Sequence, residues 1–307
     1  MSTALIFPGQ GSQQVGMGKD LAERYREARR VYDEADAILG YSLSGLCFDG
    51  PKETLDDTVN TQPAVFVTSL AAMRALETEG LLPAPAMVAG HSLGELTALV
   101  AARAMTLADG LRLVRERGRL MKLAGERSPG GMAAVLKADV SDVERACRDA
   151  SEETGNAVQI ANYNAPGQLV ISGDREALSR AIELLRERGA KRIIPLAVSI
   201  AAHSPLMGAV VKEFRAAVEA TPFRTPSVPV VANISARPLR TVEEIQNELA
   251  GQLTWQVRWI SSVQWMVDQG VGRFIEVGPK NVLSKLVRWI DGTVEAASVG
   301  DVASAEA

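Results

Sequence analysis

Ala86-Met87-Val88-Ala89-Gly90-His91-Ser92-Leu93-Gly94-Glu95 carries an apolar run straight into a Gly-x-Ser-x-Gly turn. The stretch Glu95–Ala104 is rich in alanine and leucine and reads as a buried helix. A bare five-residue pattern of this kind often arises by accident. Between a short strand and a helix it has the context of a nucleophile elbow. The turn is tight and strained at Ser92, so glycine is wanted on both sides. The hydroxyl is pushed outward, and the Leu93 N–H and the helix N-terminus lie where oxyanion charge develops. Ser92 is therefore the candidate nucleophile.

A serine hydroxyl needs a base, and the chain has only two histidines, His91 and His203. Neighbouring side chains diverge on a tight turn, so His91 is expected to pack or hydrogen-bond beneath the elbow. His203 lies in Ile200-Ala201-Ala202-His203-Ser204-Pro205, just after a predicted strand. It takes the last place in the Ser–acid–His order of α/β-hydrolases and is the expected base. No acidic third member announces itself; Asp174 and Glu243 have no distinguishing context. A backbone carbonyl can serve instead, because the imidazole N–H needs only a fixed acceptor.

Working outward, Ala4–Phe7 reads as a strand that ends in the loop Pro8-Gly9-Gln10-Gly11-Ser12-Gln13. A dinucleotide fingerprint would need glycine where Gln14 stands, and the Gly-Lys-Ser/Thr of a P-loop is missing. What remains is either a simple strand-to-helix turn or a loop whose N–H groups face an anion, as a second oxyanion donor would. Helices are predicted over Leu21–Leu39, over Pro63–Glu79 with Pro63 near the first turn, and over Leu107–Ala124. The last carries Arg112, Arg115, Arg117 and Arg119. A pocket arginine would select an acyl group with a free carboxylate, but the pattern alone does not choose Arg117 over Arg112 or Arg115.

Gly130-Gly131 reads as a break. After it come a strand Met132–Lys137, helix Val140–Ala150, strands Val158–Asn162 and Gln168–Ser172, helix Arg175–Arg188 and strand Arg192–Val198. This βαββαβ order is a ferredoxin-like unit. The fold class expected is α/β: a core of residues 1–128 and 199–292 with a ferredoxin-like insert at 129–198. Pro229–Asn233 and Arg273–Val277 are later core strands, and the tail 293–307 is expected to fray.

Across 307 residues, 47% are hydrophobic, 23% are charged and the net charge is -4. A sizeable core follows, and general nucleic-acid binding, which needs a basic excess, is disfavoured. The apolar run at Ala4–Phe7 is too short for a secretory h-region, and no stretch approaches a membrane span. The two cysteines, Cys47 and Cys147, have neither disulfide-framework nor metal spacing. A cytoplasmic protein with no metal site is expected.

Together these segments resemble the malonyl-CoA:acyl carrier protein transacylase family. The resemblance rests on Phe7–Gln13, Gly90–Glu95, Arg117-Gly118-Arg119-Leu120-Met121, Asn162–Gln168, His203-Ser204-Pro205-Leu206-Met207 and Glu276-Val277-Gly278-Pro279, in family order over residues 4–290. It implies an α/β-hydrolase-like core with a ferredoxin-like insert. It also implies ping-pong transfer of malonyl from malonyl-CoA, through acyl-Ser92, to the phosphopantetheine thiol of acyl carrier protein. His203 would be the base, the N–H groups of Gln10 and Leu93 the oxyanion hole, and Arg117 the carboxylate holder. The backbone carbonyl of Gln252 would orient His203. Lys191 and Arg192, joined by Arg288, resemble a basic carrier-docking surface. No cofactor, nucleic acid or membrane partner is implied, and a monomer is expected. Two departures stand out. Ala202 replaces the bulkier Phe or Ser before the histidine and is expected to enlarge the acyl pocket. Trp255-Gln256 replaces the common Ser-Pro after Gln252-Leu253-Thr254. The alternatives are a polyketide acyltransferase that also takes methylmalonyl-CoA, an acyl-carrier thioesterase, and a non-catalytic docking subunit.

Overall fold

The computed structural model describes residues 1–306 apart from Ala197 and Ser199. Among the described residues the strands are β1 (Ser2–Phe7), β2 (Met87–Gly90), β3 (Gly130–Leu136), β4 (Val158–Ala165), β5 (Gln168–Asp174), β6 (Arg192–Pro195), β7 (Val230–Val231), β8 (Pro238–Leu239), β9 (Val271–Val277) and β10 (Glu295–Val299). They form a six-stranded sheet in the order β10-β9-β1-β2-β7-β8 and a four-stranded sheet in the order β4-β5-β3-β6.

In the large sheet only β8 runs antiparallel to its neighbour. A parallel sheet is covered on both faces, which is why β1 is an unbroken apolar run. Its residues alternate between two layers. Leu5 and Phe7 pack with Phe66, Leu70 and Leu96, while Ala4 and Ile6 pack with Trp259, Phe274 and Leu286. The small sheet is antiparallel and has its own core, including Val135, Ile160, Ile171 and Leu185.

Two features bring the site together. The register Phe7↔Gly90 ends β1 and β2 side by side, so the glycine loop and the serine turn leave the sheet as neighbours. The contact demands glycine: a Cβ on Gly9 would lie 2.5 Å from the His91 carbonyl oxygen, and one on Gly94 would run into the Phe7 carbonyl. The small sheet is then tied to the large unit through β4. The Tyr163 N–H donates to Val257 O at 2.9 Å, and the Val257 N–H donates to Ala161 O at 2.8 Å.

Several expectations need correction. The predicted helix Leu21–Leu39 is two helices, Lys19–Arg24 and Arg26–Leu39, parted at an extended Tyr25. Tyr25 is buried with Leu21, Ala28 and Tyr32, so the apolar spacing runs through the break and hides it. Pro63 is not in a first turn: the helix starts at Thr58, capped by the Asp57 side chain, and Pro63 lies inside it. Gly130-Gly131 does not break the chain but opens β3, where a Cβ on Gly130 would meet Gly173 O at 2.5 Å. The strand Arg192–Val198 is only Arg192–Pro195, and Ala197 lies outside the described residues. The strand Pro229–Asn233 shrinks to Val230–Val231.

The tail is not frayed. Glu295–Val299 adds a parallel edge strand to β9, and the Val302 N–H donates to Asp20 Oδ2 at 2.8 Å. Val299, Val302 and Ala305 cover the main core. The small, partly polar side chains of the segment suit a half-covered sheet edge but look like a solvated tail in sequence.

Candidate active site

Ser92 stands between β2 and the helix Leu93–Ala101 with φ 53° and ψ -109°. A non-glycine residue at positive φ is strained and persists only where its surroundings hold it. Here the Ser92 N–H donates to Asn233 Oδ1 at 2.7 Å, while Asn233 Nδ2 donates to Gly90 O at 2.7 Å. The Gly94 N–H goes to His91 O and the Glu95 N–H to Ser92 O. Of the turn's amides this leaves Leu93's without a hydrogen-bond acceptor among the described residues, at the N-terminus of a helix. That is the position of an anion donor.

His203 is also at positive φ, 58°. Its turn is tied by Ser204, whose hydroxyl donates to Ala201 O at 2.7 Å. His203 Nε2 lies 2.7 Å from Ser92 Oγ. Its Nδ1 lies 2.8 Å from Gln252 O and 3.1 Å from Trp255 O. Carbonyl oxygens only accept, so Nδ1 carries the proton and Nε2 presents a lone pair to the serine. Burial lowers the His203 pKa to about 3, helped by the charge of Arg117 and by His91, and opposed by the two carbonyls. The imidazole is therefore neutral near pH 7. His91 does not compete: its Nε2 is 2.8 Å from Asn164 Oδ1, and its ring meets Trp259 edge to face. Asp174 and Glu243 are not at the imidazole; Asp174 caps the helix Arg175–Glu187, and Glu243 opens the helix Val242–Gln252.

The structure chooses among the arginines. Arg112 pairs with Asp109 at the surface, Arg115 reaches Leu39 O, and Arg119 pairs with Glu116. Arg117 is 1% exposed and points at the serine, with Nη2 donating to Ser92 Oγ at 3.0 Å. Its Nη1 donates to Gln62 Oε1 at 2.7 Å, and its Nε and Nη2 to Gln252 Oε1 at 3.2 and 2.8 Å. These acceptors are all neutral. Burial lowers the guanidinium to about 10, and nearby Glu95 opposes the shift, so it stays charged at neutral pH. A buried cation with no carboxylate in its fork has the chemistry to hold an anion beside a nucleophile.

On the far side, Gln10 lies in the glycine loop. Its Oε1 accepts from Thr58 Oγ1 at 2.8 Å, and Thr58 Oγ1 accepts in turn from Gln62 Nε2 at 3.2 Å. The glycine loop and the arginine thus share one hydrogen-bonded chain. Sequence reasoning missed Gln62, Glu95, Asn233, Asn164 and the side chain of Gln252. The only signal for Glu95 was its place directly after the Gly-x-Ser-x-Gly turn.

The residues expected to dock the carrier lie at two different sheets. Lys191 and Arg192 are exposed on the β6 edge, three strand spacings, or about 14 Å, from β4. Arg288 lies in the helix Val282–Ile290 and donates to Ala296 O of β10, at the edge of the other sheet. Among the described residues no hydrogen bond or ion pair joins the three. Ala202 is half-buried against the main core. Trp255 is 57% exposed, with its indole Cδ1 over Gly251. No group of three or more His, Cys, Asp or Glu among the described residues could hold a metal ion.

A serine on an elbow, a neutral histidine fixed by carbonyls and a buried arginine define a serine acyltransferase. Residues 4–305 match the model of the acyl transferase domain, and the chain belongs to that family. It is 42% identical over 298 residues to the malonyl CoA-acyl carrier protein transacylase of Bacillus subtilis, covering 97% of this chain and 93% of that protein. It is 41% identical to the Escherichia coli K12 transacylase, covering 97% of this chain and 96% of that one. The acyl carrier protein S-malonyltransferase of Vibrio cholerae superposes with a TM-score of 0.95 at 40% identity, covering 100% of this chain and 99% of that one. A malonyl-transacylase solved in complex with its type II PKS acyl-carrier protein gives 0.96 at 39% identity, covering 100% and 98%.

Proposed function

We propose that this enzyme moves a malonyl group from malonyl-CoA to the phosphopantetheine thiol of acyl carrier protein, feeding fatty acid or polyketide synthesis. The observation that carries this reading is the Arg117 guanidinium, 3.0 Å from Ser92 Oγ and without a carboxylate partner. The carboxylate of a malonyl group supplies that partner, and an acyl chain without one does not. A general thioesterase would have no use for such a group.

The steps follow from the donor and acceptor pattern. His203 Nε2 takes the Ser92 proton as Oγ attacks the thioester carbonyl carbon. The Leu93 and Gln10 N–H groups receive the oxyanion, and Gln252 O holds the imidazolium through Nδ1–H. Collapse breaks the C–S bond, and the proton on Nε2 passes to the leaving CoA sulfur. The carrier thiol then repeats the sequence: its proton goes to His203, its sulfur attacks the acyl-serine ester, and Ser92 recovers a proton. Every proton is held by a side chain of this chain or by a substrate, so the reaction needs no cofactor.

We take residues 129–198 as the insert on a core of 1–128 and 199–292, with the core now extended by β10. No helix among the described residues is long and apolar enough to cross a membrane. A thiol acceptor and two free buried cysteines suit a reducing compartment, and we place the enzyme in the cytoplasm. The test is to mix the enzyme with malonyl-CoA and read its intact mass. One added malonyl group, absent in Ser92→Ala and discharged by holo-acyl carrier protein, is expected. An unlabelled wild-type enzyme would refute the reading.

A further inference from the structure

One fully buried carboxylate touches this site without a part in the steps above. Glu95 is in the first turn of the helix Leu93–Ala101, three residues after Ser92. Its Oε1 accepts from the Asn233 N–H at 3.0 Å, and its Oε2 accepts from Gln252 Nε2. Gln252 Nε2 also donates to Ser92 O at 3.0 Å. On the other side of the same amide, Gln252 Oε1 accepts two N–H groups of Arg117. Two acceptors that cannot donate face the NH2, and a donor that cannot accept faces the oxygen. The amide has one allowed orientation.

We infer that Glu95 is the positioning residue for acyl selection. Acting through the Gln252 amide, it holds Arg117 aimed at the serine without placing a carboxylate in the guanidinium fork. The geometry explains why the acid stands one amide away. A carboxylate in direct contact with Arg117 would occupy the place that the acyl carboxylate must take. A carboxylate behind Gln252 polarises the amide toward the arginine and offsets the buried charge without competing. Burial and neighbouring Glu248 raise the Glu95 pKa well above the ordinary carboxylate value, against the pull of Gln252, Asn233 and Arg117. Its two oxygens accept from Asn233 and Gln252, one each.

The inference rests on the malonyl-transfer reading, and its test separates the two. Initial rates of Ser92 acylation by malonyl-CoA and by acetyl-CoA are measured by quenched-flow and intact mass. The proteins compared are the wild type, Glu95→Gln, Glu95→Asp, Arg117→Ala and the Glu95→Gln/Arg117→Ala double variant. Glu95→Gln keeps the shape but sets an NH2 against one of two donors. Glu95→Asp keeps the charge but is one methylene too short to hold both partners. Both are expected to lower the malonyl-to-acetyl ratio about tenfold, through KM for malonyl-CoA, with acetyl rates nearly unchanged. In the Arg117→Ala background, Glu95→Gln is expected to change the ratio no further. Equal loss with both acyl donors in the two single variants would make Glu95 a support of the elbow and overturn the inference. So would an unchanged ratio, or a full additional effect in the double variant. A wild type that fails to load malonyl would instead refute the function itself.

Discussion

Arg117→Ala is the perturbation whose size the structure constrains best. The side chain is buried, and its donors meet Gln62 Oε1, Gln252 Oε1 and Ser92 Oγ. Its removal leaves the malonyl carboxylate desolvated without a counter-charge, a loss of about 2–5 kcal/mol. At ~1.4 kcal/mol per factor of ten, that is roughly 30-fold to several-thousand-fold in acylation by malonyl-CoA. Water entering the vacated space moderates the loss, so about 100-fold is expected. Acetyl-CoA presents no carboxylate and is expected to keep its rate within about tenfold. A second readout comes from His203. Its active form is neutral, so activity is lost as pH falls through its pKa. Arg117 is the second cause, after burial, that depresses this pKa from 6.5 to about 3. The wild-type acid limb of acylation is therefore expected well below 6.5, and in Arg117→Ala it is expected to move upward. The assay is quenched-flow acylation with each acyl-CoA between pH 4 and 8. An unchanged malonyl-to-acetyl ratio, with the acid limb unmoved, would remove Arg117 from the site.

The remaining predictions concern the catalytic pair and the carrier. Ser92→Ala is expected to abolish mass labelling by malonyl-CoA, and His203→Ala to slow it about 10²–10⁴-fold. His91→Ala, which removes the link to Asn164 and the Trp259 contact, is expected to retain chemistry, with a lower melting temperature; the opposite ranking of the two histidines would refute the base assignment. Reversing Lys191 and Arg192 to Glu is expected to slow discharge by acyl carrier protein through its association rate, less so at high salt, and to spare acylation by malonyl-CoA. Stopped-flow measurement of the two half-reactions decides it, and equal losses in both would show that the pair is not a docking surface.

How much of this was legible in the sequence depends on the range of the interaction. The elbow is local: a strand, two glycines and a helix within ten residues specify the strain at Ser92, and the structure reproduces it. His203 followed from scarcity, since one of only two imidazoles was badly placed. Arg117 was different. Four arginines on one helix share the same local pattern, and only the burial of one face, set by helices distant in sequence, makes one of them a site residue. Gln62, Glu95 and Asn233 were illegible for the same reason, because their partners lie 55, 157 and 141 positions away. The tail failed through composition. Small residues read as a solvated end, yet β9 had a free edge that needed a strand.

The charge arrangement connects selection to the second half of the reaction. In the free enzyme Arg117 is a buried cation without a carboxylate in direct contact, and after burial it is the second cause that lowers the affinity of His203 for a proton. A neutral imidazole in this field does not protonate wastefully before a substrate arrives. An acyl group that carries its own carboxylate neutralises the guanidinium when it binds. Part of the field on His203 is thereby lifted, and the imidazole becomes a stronger base while the acyl-serine waits. That is the state in which it must take a proton from the carrier thiol, and even a cysteine thiol, with a pKa of about 8.5, lies far above the depressed histidine. An acetyl group on Ser92 leaves the cation unpaired and the base weak. With Arg117 as the proposed carboxylate holder, discrimination is expected twice, at loading through the carboxylate contact and at discharge through the strength of His203. One buried charge, held by neutral oxygens, serves both.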